Sequence, residues 1–412
     1  MTRRNLIYQI RNNKALAYIF TMFLTLTSGN TWFKIHGEYI YVGVSGLIIL
    51  YLLMHKEYAR HYAKIAWYCF IMLSIFMIQY LIFGWNTLPG IVNFISKIIF
   101  GGFIFTTIGY RFKFVYLKVM YHLSIIALIF WSIQRTTGII FDWVNVGNVG
   151  KSIFLYFTRH NEPIRNCGPF WEPGAYGCYI MLVAILFTNQ IPFLWKKYKK
   201  ECIILILALL STQSTTAYIA FGFFLISYFG FIVKSKMKYI LTPIFIIGCL
   251  YFYYETSFLS NKIDTQSQNA IDAKGDFNST RMGSFLFDMH YFLKHPLVGN
   301  GLHEKTRYSE HLYLVKLWND GDLAKSGNGF SDYLAKMGII FYISFAFFFY
   351  INNREITYRE YILLIPTFII LLIGEPLLNY PLVLSLPFIS ISQCKINKDS
   401  NVVRIRYKNL TN

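Results

Sequence analysis

Arg165 and Arg281 carry the most directed chemistry in this chain. Arg165 precedes Asn166-Cys167-Gly168-Pro169-Phe170-Trp171-Glu172-Pro173-Gly174. Arg281 opens a stretch in which Met282, Phe285, Leu286, Met289, Phe292 and Leu293 recur at helical spacing. Arginine stays charged and offers a fork of donors that matches phosphate oxygens. Two arginines, each beside an apolar or aromatic helix start, suggest a bound anion with a lipid attached. Structural ion pairs with Glu172, Asp288 or Glu162 are the alternative.

Further candidates surround them. Glu172 stands just before Pro173, which suits the first turn of a helix, and a carboxylate there suits the positive end of the helix dipole. Glu375, between Gly374 and Pro376, is either a hairpin turn residue or a catalytic or substrate-orienting carboxylate. His295, His303 and His311 are candidate general bases, because histidine titrates near neutral pH, or else surface and packing side chains. Ser211 and Ser214 lie in Ser211-Thr212-Gln213-Ser214-Thr215-Thr216, a polar helix junction or a site for sugar hydroxyls or phosphate. Gly299 and Gly301 form a turn that could bring backbone N–H groups near an anion. Trp171 offers an aromatic face, and Asn328 precedes the next apolar run. No Walker loop, GxGxxG after a strand, HExxH or GxSxG is present, so no nucleotide, metal or other cofactor is expected. The six cysteines form no CxxC pair, although Cys167 and Cys178 could meet.

The elements that hold these residues are apolar helices. Of 412 residues, 55% are hydrophobic, 19% aromatic and 14% charged, and the mean hydropathy is +0.42. Runs near 15–33, 38–54, 65–84, 90–109, 114–134, 173–194, 201–212, 215–233, 239–254, 330–350, 361–373 and 377–391 predict an all-α polytopic membrane protein of about 12 spans. The runs 201–212 and 361–391 are too short for comfortable spans, so they are re-entrant or lie where the protein encloses a cavity. Residues 1–254 hold nine spans and an outer loop at about 135–172. Residues 255–329 form a large, partly helical outer loop, 330–392 hold three spans, and 393–412 form a basic tail.

The net charge of +19 would point to nucleic acid in a soluble protein. Here every short Lys/Arg cluster falls on one side of the arrangement, and half of the 20 acidic residues lie between Glu255 and Asp332. The positive-inside rule then predicts both termini in the cytoplasm and both long loops outside. Nucleic-acid binding is excluded on that pattern.

With these residues in view, the chain resembles the bacterial O-antigen polymerase and ligase superfamily. The resemblance rests on Arg165 followed by Phe170-Trp171-Glu172-Pro173-Gly174, on Ser211-Thr212-Gln213-Ser214, and on Arg281 opening the loop helix. It also rests on His295-Pro296-Leu297-Val298-Gly299-Asn300-Gly301-Leu302 and on Asn328-Gly329-Phe330. It implies a GT-C-like glycosyltransferase of the bacterial inner membrane, acting on undecaprenyl-pyrophosphate-linked oligosaccharide donor and acceptor at the periplasmic face. A chain-length regulator is a further implied partner, beside membrane lipid. Many members, ligases especially, place a histidine immediately before the asparagine, where this chain has Gly327. That departure favours a polymerase over an O-antigen ligase. A polysaccharide flippase or other transporter would instead place its charges inside the span bundle.

Overall fold

Short polar side chains open the first two helices. Asn13 accepts from the N–H groups of Ala15 and Leu16, and Asn30 accepts from that of Trp32, each satisfying donors that a helix start leaves unpaired. The computed structural model describes residues 7, 10, 13–55, 60–84, 88–138, 165–233, 239–240, 242–244, 247–248, 281–303, 305–308, 327–354 and 356–391. His311, Glu162, most of the ninth run, much of both long loops and the basic tail lie outside them.

All regular structure among the described residues is helical. The helices are α1 (Lys14–Thr27), α2 (Thr31–Met54), α3 (Ala63–Phe83), α4 (Leu88–Ile108), α5 (Phe112–Thr137), α6 (Pro173–Leu186), α7 (Ile191–Lys197) and α8 (Lys199–Ser211). There follow α9 (Thr215–Ser227), α10 (Arg281–Lys294), α11 (Lys305–Tyr308), α12 (Gly329–Asn352), α13 (Tyr358–Gly374) and α14 (Pro381–Leu384). Five helical stretches are long and apolar enough to cross a membrane, or six if one bent pair is a single span. One of the five, Leu88–Thr137, runs through both α4 and α5. Two expected spans are interrupted. The run 15–33 breaks at Ser28-Gly29-Asn30, and the run 173–194 bends by 55° between Leu186 and the helical stretch beginning at Thr188.

The helix ends sort onto two faces. On the face carrying the two arginines, the Trp171 N–H donates to Gly29 O, the Asn30 amide to Pro169 O, and the Leu382 N–H to Ser28 Oγ. At the opposite end Lys64 donates to Asn352, Lys118 pairs with Glu201, and Lys113 donates to Ile391 O. Basic residues gather at that second end, the pattern that the positive-inside rule describes.

Residues 375–391 pass between the two ends without forming a long helix. The segment starts at Glu375 beside the arginines. It finishes where Asn353 donates to Ile389 O and accepts from the Ile391 N–H. On the way the Tyr333 hydroxyl donates to Leu378 O, and the Ser385 hydroxyl donates to Lys97 O and Ile98 O. Almost every side chain in it is buried. Irregular backbone is tolerated in an apolar slab only when protein surrounds it, and protein surrounds this run along its length.

The His295–Leu302 segment is spliced into α12. That helix breaks at Gly338, which has φ +69°. Across the break, the N–H groups of Ile339 and Ile340 donate to Pro296 O and Leu297 O. The carbonyls of Ala335 and Lys336, which an unbroken helix would offer to them, accept instead from Asn300 and Gly301. Gln79 from α3 donates to Val298 O and Lys336 O, closing the joint.

Candidate active site

The junction between α8 and α9 is built to hold both arginines. Ser214 caps α9 by accepting from the Ala217 N–H, and the Thr212 hydroxyl donates to Leu209 O. Gln213 between them has φ +47°, a left-handed conformation rare outside glycine. The segment carrying Arg165 is laced onto this turn: the Asn166 N–H donates to Ser211 O and its amide to Ser211 Oγ. Arg165 Nε then donates to Thr212 O at 3.3 Å. Arg281, in the first turn of α10, donates to Thr216 Oγ1 at 3.0 Å and to Gly374 O at 3.1 Å. The second bond places a cation on the carbonyl end of α13, where the helix dipole favours it.

Glu375 follows that carbonyl directly and is only 2% exposed. Its carboxyl lies against Gly174, where a Cβ would overlap Oε1. Oε2 has no hydrogen-bond partner among the described residues. Glu172, Arg281 and Arg165 all act on it electrostatically. Burial, and then the neighbouring Glu172 carboxyl, push Glu375 well above the usual carboxylate range, and the two arginines offset this only in part. Burial and the second carboxyl thus favour the neutral form of Glu375. Glu172 is oriented by Trp171, whose indole N–H donates to Oε1 at 3.0 Å. The Trp171 ring stacks on Tyr380 with centroids 4.5 Å apart. Two guanidinium groups converge here with two carboxyls that disfavour each other's ionisation, an arrangement suited to an anionic ligand.

The other expected site residues are placed as follows. Ser211 accepts from Asn166 and donates to Ala208 O, and Ser214 is a helix cap. Asn328 caps α12 by accepting from Phe330 and Ser331. The N–H groups of Gly299, Asn300 and Gly301 are donated to the carbonyls of His295, Ala335 and Lys336. The turn therefore offers none of these three to an anion, as a correction to the expected phosphate cradle. The His303 carbonyl accepts from Thr306 at the start of α11, and the His295 ring meets Phe83 edge-on. Asp288 accepts from Ser331. Cys167 and Cys178 are free thiols. Sequence reasoning had Thr212 and Thr216 within the candidate polar junction but passed over the Gly374 carbonyl, because a backbone oxygen carries no signal until the arginine that uses it is placed. Gly327 donates its N–H to Ser284 Oγ, and a Cβ on it would stand 3.9 Å from Arg281 Cγ.

Residues 202–372 match the family model described as O-antigen ligase. The match covers 171 of the 412 residues and likens this stretch to an O-antigen ligase domain. That match supports the O-antigen ligase and polymerase superfamily, and with it a multi-pass membrane protein of glycosyltransferase type. No curated protein and no solved structure matches the chain. The family domain takes in the Ser211–Thr216 junction, Arg281 and Asn328, whereas Arg165, Glu172 and Glu375 lie outside its limits. The candidate site is thus completed by residues on both sides of the domain.

Proposed function

We propose that this protein polymerises undecaprenyl-pyrophosphate-linked oligosaccharide units into O-antigen or a related surface polysaccharide. The face carrying Arg165 and Arg281 opens to the periplasm, both termini lie in the cytoplasm, and the chain crosses the inner membrane about 12 times. The observation that carries the reading is the meeting of Arg165, Arg281 and Glu172, all partly buried, with the buried Glu375 in one group.

In the reaction an acceptor hydroxyl attacks the anomeric carbon of the donor glycan with inversion. The bond from that carbon to the pyrophosphate oxygen breaks, and its electron pair leaves with the lipid pyrophosphate. Arg165 and Arg281 neutralise the charge developing on the leaving group, which is worth most where water is scarce. Glu172, held by Trp171, takes the hydroxyl proton. Neutral Glu375 offers a hydrogen bond from Oε2. This assigns the proton to a carboxylate in the cluster rather than to His303 or His311.

The family description keeps an O-antigen ligase in view. Against it stands Gly327, which leaves bare the space over Arg281 that a side chain would fill. The test is glycan laddering in cells carrying Arg165→Ala or Arg281→Ala at normal protein levels. A loss on the order of 100-fold is expected for either change, and normal ladders would remove the assignment. Cells lacking the protein should export single repeat units. Long unattached polymers in their place would indicate a ligase.

A further inference from the structure

A second cationic centre stands apart from the first, on another face of α12. Lys97 lies about 14 Å along α4 from Leu88, inside an apolar helix where a charge is costly unless it is used. Its side chain is partly exposed, and its ammonium donates no hydrogen bond to any described residue. It sits 5.6 Å from the centroid of the Tyr41 ring, within electrostatic reach of Glu38 and Lys336. Of the carboxylates nearby, Asp332 is shared by two cations, whereas Glu38 meets a neutral amide. Glu38 accepts from Asn93 at 3.0 Å, while Asp332 accepts from Lys336 at 2.5 Å and from Arg307 at 2.8 Å. Lys97, Lys336 and Arg307 against Glu38 and Asp332 leave one positive charge in excess in the group, with Glu38 facing Lys97 and Asp332 shared by the other two cations.

Aromatic rings separate this centre from the first. Tyr41 neighbours Tyr380, Tyr380 stacks on Trp171, and Trp171 holds Glu172. A polymerase has to grip two phosphorylated lipids at once, and the acceptor's phosphate lies several sugar rings away from its reacting hydroxyl. We propose that Lys97, with Lys336 behind it, is a second phosphate site that holds the lipid-linked phosphate of the acceptor glycan. The inference rests on the polymerase reading, and its chemistry is that of a phosphate anion on a lipid.

The test counts lipids by native mass spectrometry of the full-length protein, titrated with undecaprenyl pyrophosphate and separately with phosphatidylglycerol. The wild-type protein should hold two undecaprenyl pyrophosphates, Lys97→Met one, and Lys97→Arg two. Lys97→Met removes a charge from an apolar span, so its Tm should equal or exceed that of the wild type, which separates lost binding from lost folding. Three results would each overturn the proposal. The first is two lipids on Lys97→Met. The second is displacement of the second lipid by phosphatidylglycerol as readily as by undecaprenyl pyrophosphate. The third is a lowered Tm with an unchanged lipid count. An Arg165→Ala, Arg281→Ala double variant should retain the Lys97 lipid alone. Two lipids on that variant, beside one on Lys97→Met, would remove the roles given to the arginines and leave the Lys97 site standing.

Discussion

Gly174 and Glu375 share one volume: the carboxyl of Glu375 occupies the space that a side chain on Gly174 would fill. Gly174→Ala should therefore push Glu375 out of register with Glu172 and the arginines, at about 1–3 kcal/mol for an overpacked interior. Laddering should fall far more than protein abundance does. Equal falls in both would make the position a packing site only.

Glu375 predicts a pH dependence of stability. Its folded-state pKa is raised above the ordinary carboxylate value of about 4.3. A raised carboxyl contributes stability below that ordinary value and loses it as pH climbs through the folded-state value. Glu375→Gln keeps a neutral hydrogen-bond donor and removes the titration. The Tm of this variant relative to the wild type should therefore grow from pH 5 to pH 8, with laddering largely kept. A difference independent of pH would show that Glu375 is ionised in the folded protein.

The splice between the His295–Leu302 segment and α12 depends on Gly299. Its φ is +70°, and a Cβ on it would meet the Lys336 carbonyl at 2.5 Å. Gly84 has a similar φ of +62° with nothing within 4 Å. Ala at Gly84 should cost about 1–2 kcal/mol from the left-handed backbone alone. Ala at Gly299 should cost clearly more, read as thermal stability in detergent. Equal losses would mean that the joint yields to the extra methyl.

Asp332 is shared by Arg307, which is 1% exposed, and Lys336. Asp332→Asn leaves the buried Arg307 and the partly buried Lys336 without their carboxylate and should lower stability by about 3–5 kcal/mol. Arg307→Met, which leaves Asp332 with Lys336, should be milder. The order of the two Tm values decides the point.

Much of this was readable in the residues, and the unread part has physical causes. The apolar spacing from Met282 to Leu293 predicts a helix opened by Arg281, and α10 spans Arg281–Lys294, because apolar spacing is a local signal. That Arg165 and Arg281 share one face followed from counting apolar runs between them. By contrast, the enclosed segment at 375–391 looks in sequence like any short apolar run, since its surroundings come from α4 and α12. The segment from His295 to Leu302 suggested an anion turn because glycine marks positive φ without saying which carbonyls will meet the N–H groups. The bend after Leu186 leaves hydropathy almost unchanged, so periodicity runs straight through it.

The backbone joint at Gly338 also limits how the enzyme can breathe. Four hydrogen bonds, from Asn300, Gly301, Ile339 and Ile340, rivet the root of the exterior domain to a span. A hinged cover swinging about that root would have to unzip all four. On the polymerase proposal, a lipid-borne glycan would then meet a fixed rim rather than a swinging cover.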